Sequence, residues 1–506
     1  MSIGAPFHSR GAQGRFSALA PGAQQLGLTD VLDRSRCIAP ANHDRWRMPP
    51  AALAIYLAIG QVFALSTLTA PFTRLIGVSS SAPQDWSASA VSWLFPVAIT
   101  FLGISAFVFS RWIDAVGPRK AMFASASCFA AGFLITAVGA RMHIIGLVYF
   151  GYGVVGGTGL GLGYASPVTA LIRWFPDRPA AATGLAIAGF AGGALVGQPF
   201  AQMLLDYFSS ATDTGVVSAL VTMGVSYFAF MMFGVFTIRL PEPGWTPASY
   251  TSARREAEDG GHWAPRVGTP AGRSDAERRP VAKDVHVTVA TRTRQFWLLA
   301  LIVGLSVAAG AGVLSQASPA IQDLFPGMLG AAAAAGFIAV LALTDTFGRA
   351  LWAAWTDGIG RRRAFLLYLS LSAALLAYAP TAAATPSIVA YVTCVALALA
   401  MCGGLLAALP AYVRDLFGDL HVGPIHARLL IAWSAGAVAG PALGTLIRKF
   451  QLAGGVTSAD SYRWTIYAMA GLLVIALIAN WLLRAVDPRH HFQPTEPTGT
   501  AGGGRR

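Results

Sequence analysis

Long apolar segments separated by short polar connections make up the chain from residue 49 to residue 486. A helix needs about 20 apolar residues to cross a hydrocarbon core about 30 Å thick. Twelve segments are long enough, so the pattern predicts an all-α membrane protein with twelve transmembrane helices. They are 50–76, 88–112, 119–139, 143–171, 180–206, 215–239, 295–321, 329–356, 363–380, 386–413, 425–448 and 463–485.

A polar stretch after the sixth segment divides the chain into two similar bundles. Residues 241–292 are rich in Arg, Glu, Pro and Gly, which is typical of a solvated cytoplasmic linker. We therefore expect pseudo-symmetric six-helix bundles at 49–240 and 293–486. The polar ends, 1–48 and 487–506, are expected to be disordered cytoplasmic tails. For the first tail, a transit peptide or translation from Met48 are the alternatives.

Composition and charge agree with a membrane protein. Hydrophobic residues make up 55% of the 506 residues and charged residues 12%. The net charge of +13 does not indicate a nucleic-acid partner, because the arginines form short clusters between apolar segments. With both ends on one side, that side has 30 Lys and Arg against five, or 14 against five without the long N-terminal tail and linker. The positive-inside rule then predicts cytoplasmic termini, and we expect a bacterial-type inner membrane.

Two charged residues lie inside the eighth segment. Along a helix Arg349 is roughly 12 Å and Asp345 roughly 18 Å from Asp357, so both lie near the bilayer midplane. Inserting either charge there costs about 2.5–3.5 kcal/mol, which favours a functional role. Their i, i+4 spacing places them on one helix face. We expect Arg349 to bind an anionic substrate and Asp345 to control that binding; a purely structural ion pair is the alternative.

One motif occurs twice, at an offset of 243 residues, each time between the second and third segments of a half. An aspartate ends one helix, a glycine forms the turn and basic residues begin the next helix. Positive-inside charge would explain the basic residues but not the repeated aspartate and glycine. We expect a latch between the halves on the cytoplasmic side. Its residues are Asp114, Gly117, Arg119 and Lys120, and then Asp357, Gly360, Arg361 and Arg362.

The repeated D-x-x-G-x-R/K motif resembles the signature loop of the major facilitator superfamily. Ser110 and Ala353 replace its usual leading glycine, so we expect a looser helix contact there. The resemblance implies two parallel halves related by an axis along the membrane normal, with a site near the midplane between them. Over residues 49–485 the chain looks like the oxalate/formate antiporter family. The stretches that carry this likeness are 60–71, 173–184, 292–297 and 415–418.

The wider group includes the monocarboxylate transporters, whose eighth span carries the D-x-x-x-R that Asp345 and Arg349 match. The oxalate exchanger pairs this arginine with a lysine in the eleventh span. Here Trp433 occupies the aligned position, and no Lys or Arg lies between Leu429 and Ile447. The exchanger also has a neutral residue where this chain has Asp345. One cation beside a titratable acid indicates a monoanion and proton coupling.

The aromatic positions implied by the resemblance are partly kept. Two positions where the resemblance implies aromatic residues are occupied by Cys402 and Leu406, whereas Tyr164 and Phe190 are aromatic as implied. Helix packing is the alternative role for each wall residue. The candidate wall around Arg349 and Asp345 consists of Phe63, Tyr164, Phe190, Gln316 and Trp433.

These observations predict a secondary active transporter that moves a small organic carboxylate, preferably a monocarboxylate, by alternating access with proton coupling. An oxalate/formate-type exchanger and a non-transporting membrane sensor are the alternatives. An enzyme is not expected, because no span has a Ser/His/Asp, metal-ligand or paired-carboxylate set and the P-loop is missing. The expected partners are the organic anion, protons and bilayer lipid, with no cofactor, metal or nucleic acid and no indication of oligomerisation. His143, His421 and His426 are expected in solvated positions.

Overall fold

The computed structural model describes residues 32–40, 43–242, 245–247, 284–385 and 387–491. In these residues twelve helices are long and apolar enough to cross a membrane, which confirms the predicted all-α class and number of spans. Numbered in chain order, they are α1 Arg45–Phe72, α2 Ala88–Val116, α3 Pro118–Arg141, α4 Ile145–Trp174, α5 Pro179–Phe208, α6 Val216–Thr237, α7 Arg294–Leu324, α8 Ala331–Ile359, α9 Arg361–Ala384, α10 Ile388–Phe417, α11 Val422–Ala453 and α12 Ser458–Leu482.

The two halves repeat one packing scheme. In the first half α1 packs against α5, α2 against α4 and α3 against α6. Six helices later α7 packs against α11, α8 against α10 and α9 against α12. Two long contacts join the halves, α5 along α8 and α11 along α2, and α10 also touches α5. A site between the halves must therefore lie among these interface helices.

Small residues allow close helix contacts in the glycine-rich segments. In α11, a Cβ added to Gly440 would collide with the backbone of Ala308 in α7. In α5, a Cβ added to Gly193 would lie 2.5 Å from Cα of Gly60 in α1. Membrane helices reach dense packing through such small residues because lipid supplies no hydrophobic force between them. The corresponding contacts α1–α5 and α7–α11 thus both depend on glycines that allow the helix backbones to approach closely.

Two spans depart from regular α-helix. The first contains a 3-10 turn at Gly60–Ala64, and the fourth contains a π-helical stretch at Tyr149–Gly156. Short 3-10 and π-helical segments within α-helices often mark hinges or functional sites. The 3-10 turn carries Phe63, and Tyr164 follows the π-helical stretch by about two turns.

Both repeated motifs lie at one end of the bundle, which we call the motif face. Gly117 ends α2 with a φ of 86°, and Gly360 ends α8 with a φ of 85°. Side chains with a Cβ are strained at such positive φ values, so both turns require glycine. The next helices begin at once, at Pro118 and Arg361. Because the spans alternate in direction, α1 also begins and α12 also ends at the motif face.

Part of the predicted N-terminal tail is folded onto the motif face. Arg34–Cys37 forms a 3-10 helix, and Ile38 forms a parallel bridge with Leu240 beyond α6. Cys37 is fully buried, and burial raises the pKa of its thiol to about 11. The expectation of a disordered tail is therefore wrong for 32–40 and 43–48; residues 1–31 and 41–42 lie outside the described residues.

The end of the predicted linker is folded as well. A carboxylate oxygen of Asp284 accepts hydrogen bonds from the backbone N–H groups of Asp419 and Leu420 at 2.8 and 3.0 Å. A single helical turn, Val287–Ala290, follows it with both end residues buried. The expectation of a solvated linker is wrong for this end. Residues 243–244, 248–283 and 492–506 lie outside the described part of the chain.

Candidate functional site

Asp345 and Arg349 form an ion pair one turn apart on α8. Nη2 and Nε of the arginine donate to Oδ2 of the aspartate at 2.9 and 3.2 Å. Arg349 is 6% exposed, whereas the Asp345 side chain is 26% exposed. The pair therefore combines a buried cation with a carboxylate that reaches accessible space.

One nitrogen of the guanidinium makes no hydrogen bond within the described part of the chain, although the hydroxyl of Tyr164 lies close to the group. Nη1 of Arg349 is buried and has no hydrogen-bond partner among the described residues. A buried donor without a partner costs about 1–3 kcal/mol, and more when it is charged. A carboxylate binds a guanidinium through two parallel N–H donors, so an anion placed here would recover that cost.

Two glycines let neighbouring helices approach the pair from opposite halves. A Cβ on Gly403 of α10 would collide with Oδ1 of Asp345 and lie 3.2 Å from Cγ of Arg349. A Cβ on Gly184 of α5 would lie 2.6 Å from the carbonyl oxygen of Arg349. The side chains of the pair thus face α10, and the backbone of Arg349 packs against α5 of the first half.

Four aromatic residues from both halves gather beside the pair, and we call them the aromatic cluster. The ring centroid of Tyr164 on α4 lies 5.0 Å from that of Phe190 on α5 and 6.2 Å from that of Trp433 on α11. Phe63 on α1 packs against Phe190 at 5.0 Å. The hydroxyl of Tyr164 lies close enough to Arg349 to interact with its guanidinium. Six of the seven residues predicted for the site are therefore brought together.

The indole of Trp433 supplies a second unused donor in the aromatic cluster. Its Nε1 is buried and has no hydrogen-bond partner in the part of the chain that the structure describes. The indole ring also lies 5.8 Å from Phe190, between centroids. Two buried nitrogens that make no hydrogen bond in the described ranges, Nη1 of Arg349 and Nε1 of Trp433, thus belong to residues that both neighbour Tyr164.

Gln316, the seventh predicted residue, lies elsewhere. Its Nε2 donates to Oγ1 of Thr445 on α11 at 3.3 Å. Thr445 follows Trp433 by twelve residues, which is about 18 Å along the helix, away from the motif face. Gln316 and Thr445 therefore form a separate polar contact between α7 and α11 inside the second half.

His426 is buried, which corrects the expectation that it is solvated. It is 1% exposed, and its ring stacks on Tyr164 with centroids 6.2 Å apart and planes at 26°. Its Nδ1 has no hydrogen-bond partner among the described residues. Its i, i+7 spacing to Trp433 places both residues on one helix face. The position was not expected to be buried because α11 begins at Val422, three residues earlier than the sequence predicted.

The other two histidines lie outside the spans. His143 follows α3, and its ring stacks on Trp86 with centroids 4.7 Å apart. His421 precedes α11, and its ring centroid lies 5.0 Å from that of His286. Burial lowers the pKa of His421; the carboxylate of Asp114 opposes this shift and the neighbouring His286 adds to it.

One carboxylate of the repeated motif joins the halves. Asp357 at the end of α8 accepts hydrogen bonds from the backbone N–H groups of Ala180 and Ala181, at 3.3 and 2.9 Å. These N–H groups belong to the first turn of α5, where the helix dipole favours a negative charge. Arg361 binds the same carboxylate from the start of α9.

The first copy of the motif makes a different set of contacts. Nε and Nη2 of Arg119 donate to the carbonyls of Val235 and Ile238, both at 3.2 Å, inside the same half. Lys120 pairs with Asp33 of the folded N-terminal segment at 3.1 Å. No hydrogen bond or ion pair to the carboxylate of Asp114 occurs among the described residues, and Arg34 binds its carbonyl oxygen at 3.0 Å instead. In the second copy, Arg362 likewise stays within its half, on the carbonyl of Trp481.

Further hydrogen bonds close the motif face between the halves. Arg414 donates to the carbonyl of Pro176 at 3.0 Å, and Thr183 donates to that of Ala407 at 3.0 Å. Arg428 donates to Oγ of Ser110 at 3.3 Å, so the serine that replaces a motif glycine adds a polar contact. These hydrogen bonds, and those from α5 to Asp357, lie on the motif-face side of the aromatic cluster. The structure is therefore closed at the motif face.

Comparison with known proteins agrees with this architecture. A family profile described as Major Facilitator Superfamily matches residues 50–349 and 324–502. The uncharacterized MFS-type transporter YhjX of Escherichia coli (strain K12) is 22% identical over 406 residues, which cover 79% of this chain and 88% of that protein. The oxalate:formate antiporter of Oxalobacter formigenes is 24% identical over 355 residues, 66% of this chain and 70% of that protein. The chain also superposes on the crystal structure of the E. coli fucose:proton symporter FucP, over 87% of this chain and 98% of the FucP chain, with a TM-score of 0.59. The sequences are 14% identical in this match, so the likeness is one of fold alone.

Proposed function

The chain belongs to the Major Facilitator Superfamily, and from that premise we propose that it transports a small monocarboxylate together with a proton, by alternating access between its two halves. The observation that carries the proposal is the buried guanidinium of Arg349. It lies between the halves with one donor unused, beside a partly accessible acid.

The charges of the site favour a monoanion. Arg349 is the one cation of the pair, and the aligned position for a second cation holds Trp433. A second carboxylate in the aromatic cluster would be buried without a countercharge, which is costly in an apolar environment. An apolar group beside the rings would instead gain free energy from burial. The substrate we propose therefore has one carboxylate and a small apolar remainder.

Asp345 supplies a means of proton coupling. When it is ionised, it occupies Nε and Nη2 of Arg349 and competes with the substrate. Protonation of the accessible carboxyl removes this competitor, and the guanidinium can then bind the substrate carboxylate with two donors. The empty ion pair is neutral, and so is the site loaded with proton and anion. Substrate without the proton leaves a net negative charge, which opposes enclosure between the halves.

We further propose that the motif face is cytoplasmic and that the membrane is a bacterial-type inner membrane. The excess of Lys and Arg in the connections on that side supports this orientation. The described conformation, closed at the motif face, then accepts substrate from the external side.

Exchange of two anions is the second candidate. The oxalate:formate antiporter among the relatives favours it. Obligatory exchange requires that the empty carrier cannot change sides. The neutral Asp345–Arg349 pair of the empty site argues against that requirement, because it leaves no bare cation to oppose the movement.

Uptake into proteoliposomes tests the proposal. We expect the wild-type protein to accumulate formate, lactate or pyruvate when the external side is acidic, without an internal anion, and to take up oxalate poorly. Arg349→Lys is expected to reduce uptake ~10-fold or more, because lysine lacks the two-pronged donor geometry. Asp345→Asn is expected to retain exchange but to lose accumulation driven by the pH gradient.

A second ion pair of the same chain provides the matched control. Arg463 and Asp460 pair at 2.9 Å at the start of α12, far along the chain from the proposed site. Arg463→Lys and Asp460→Asn are expected to leave uptake unchanged. Normal monocarboxylate uptake by both Arg349→Lys and Asp345→Asn would refute the site, and uptake that depends strictly on an internal anion would favour exchange.

A further inference from the structure

The stacked pair of His426 and Tyr164 joins the two halves. His426 belongs to α11 of the second half and Tyr164 to α4 of the first. Because His426 precedes Trp433 by seven residues, it lies about 10 Å nearer the motif face. A path from the aromatic cluster to the motif face that opens between α4 and α11 must therefore part this stack. His426 has a place in the closure of that face, and the transport mechanism above does not use it.

The surroundings of the imidazole contain no countercharge. His426 is 1% exposed, and among the described residues no acidic or basic side chain forms a hydrogen bond or ion pair with its imidazole. Tyr164 is the titratable group that faces it from α4, and the same tyrosine also interacts with the Asp345–Arg349 pair. On its own helix, Arg428 is turned toward Phe107 of α2. A charged imidazolium would thus be buried here without a partner, which is strongly unfavourable.

We propose that His426 is a proton-sensing residue of the motif-face gate: it must be neutral for the gate to close, and it takes up a proton when the gate opens. The neutral ring stacks on Tyr164 and fills the interface. Opening separates the halves and brings the imidazole to water. A solvated imidazole takes up its proton near pH 6.5. The proton binds the open state and not the closed state, so it favours the open state.

The direction of the pH effect follows from this linkage. Below about pH 6.5 the ratio of open to closed molecules is expected to rise toward 10-fold per pH unit, because one extra proton is bound on opening. At higher pH the ratio is expected to be independent of His426. The proton on His426 must leave to the same side before the gate closes. Unlike the proton on Asp345, it does not cross the membrane.

Distances between spin labels across the gate test this inference without any substrate. Labels are attached at Arg178→Cys, between α4 and α5, and at Leu420→Cys, between α10 and α11, after the four native cysteines are replaced. Both side chains are exposed and lie on opposite halves. In wild-type His426 protein we expect the population with a long distance to grow as the pH falls from 8.0 to 5.5. The experiment does not depend on the identity of the transported anion, so it can fail or succeed separately from the monocarboxylate proposal.

Three variants assign the response. His426→Phe keeps an aromatic ring on Tyr164 but cannot bind a proton, and His426→Gln keeps a polar group; both are expected to abolish the pH-dependent growth of the long-distance population. His421→Gln, in the nearby histidine pair, is expected to keep it. A pH response that persists in both His426 variants, or its absence in the wild-type protein, overturns the inference.

Discussion

At the scale of single residues, Gly403 decides how closely α10 can approach the ion pair. We expect Gly403→Ala to displace the Asp345 carboxylate, because the new Cβ would collide with Oδ1. Overpacking of this kind costs about 1–3 kcal/mol, so the KM for a monocarboxylate is expected to rise by roughly 5- to 150-fold. Initial rates of uptake in proteoliposomes measure it.

Gly471 of α12 is the matched control for this variant. A Cβ added there meets no atom within 4 Å, so Gly471→Ala is expected to leave the KM unchanged. An unchanged KM in Gly403→Ala as well would show that the position of the Asp345 carboxylate does not limit substrate binding.

Trp433 offers a test of charge selectivity. Trp433→Lys adds a second cation to the aromatic cluster, and a dianion would then be balanced by two positive charges. We expect uptake of oxalate to rise relative to uptake of formate. Trp433→Phe, which adds no charge, is expected to leave the ratio unchanged. Competition between labelled oxalate and labelled formate measures this uptake ratio. An equal change of the ratio in both variants would show that it depends on packing at position 433 and not on charge.

The residue types of the site were predictable to different degrees. The i, i+4 spacing alone predicted the pairing of Asp345 and Arg349, because a helix has only one geometry for that interval. The resemblance named Tyr164 and Phe190. The position of Gln316 was not predictable, because a polar residue in the sequence of a span does not indicate its depth relative to the residues of other helices. His426 was missed because a helix that begins one turn early changes a solvated end into a buried position.

At the scale of elements, the two copies of the repeated motif are expected to differ in function. Asp357 accepts two N–H groups of α5, whereas the carboxylate of Asp114 makes no such bond in the described ranges. Hydrogen bonds to a charged group contribute about 1.5–3 kcal/mol. We therefore expect Asp357→Asn to shift the molecule toward a motif face that is open, by ~10-fold or more, and Asp114→Asn to have a smaller effect. The spin labels at positions 178 and 420 report both variants, and equal shifts would contradict the asymmetry.

The folded N-terminal segment, residues 32–40, is a second element whose behaviour can be tested. Burial raises the pKa of the Cys37 thiol to about 11, so at pH 7–8 the reactive thiolate is scarce and a maleimide should react slowly. Lys120→Ala removes the partner of Asp33, a half-exposed ion pair that contributes little to stability, and is expected to speed the labelling of Cys37 by roughly 2- to 5-fold, because the segment detaches more often. The measurement uses protein in which Cys128, Cys394 and Cys402 are replaced.

Arg363→Ala, on the corresponding turn of the second half, is the control and is expected to leave the rate at Cys37 unchanged. If Lys120→Ala also leaves it unchanged, the ion pair does not hold the segment.

The sequence predicted the number and approximate limits of the spans from their apolar length. It did not predict this segment, because one short turn and one buried cysteine produce no periodic apolar pattern.

At the scale of the whole molecule, transport requires the motif face to open, and a covalent link across it should prevent that. Thr169 of α4 and Gly423 of α11 belong to opposite halves, and a Cβ on Gly423 would lie 3.5 Å from Cβ of Thr169. This separation suits a disulfide, for which Cβ atoms are about 3.5–4.5 Å apart. We expect Thr169→Cys with Gly423→Cys, in protein without native cysteines, to form the bond on mild oxidation.

The oxidised double variant is expected to lose uptake almost completely and to regain it on reduction, whereas each single variant should transport under both conditions. Binding of a monocarboxylate from the face opposite the motifs should survive oxidation, because that conformation is the one described here, with Arg349 beside a partly accessible Asp345. Isothermal titration of the oxidised protein measures this binding. Continued uptake through the cross-linked protein would mean that the two halves do not separate at the motif face, and the packing of α4 on α11 would then be a fixed part of the fold and not a gate.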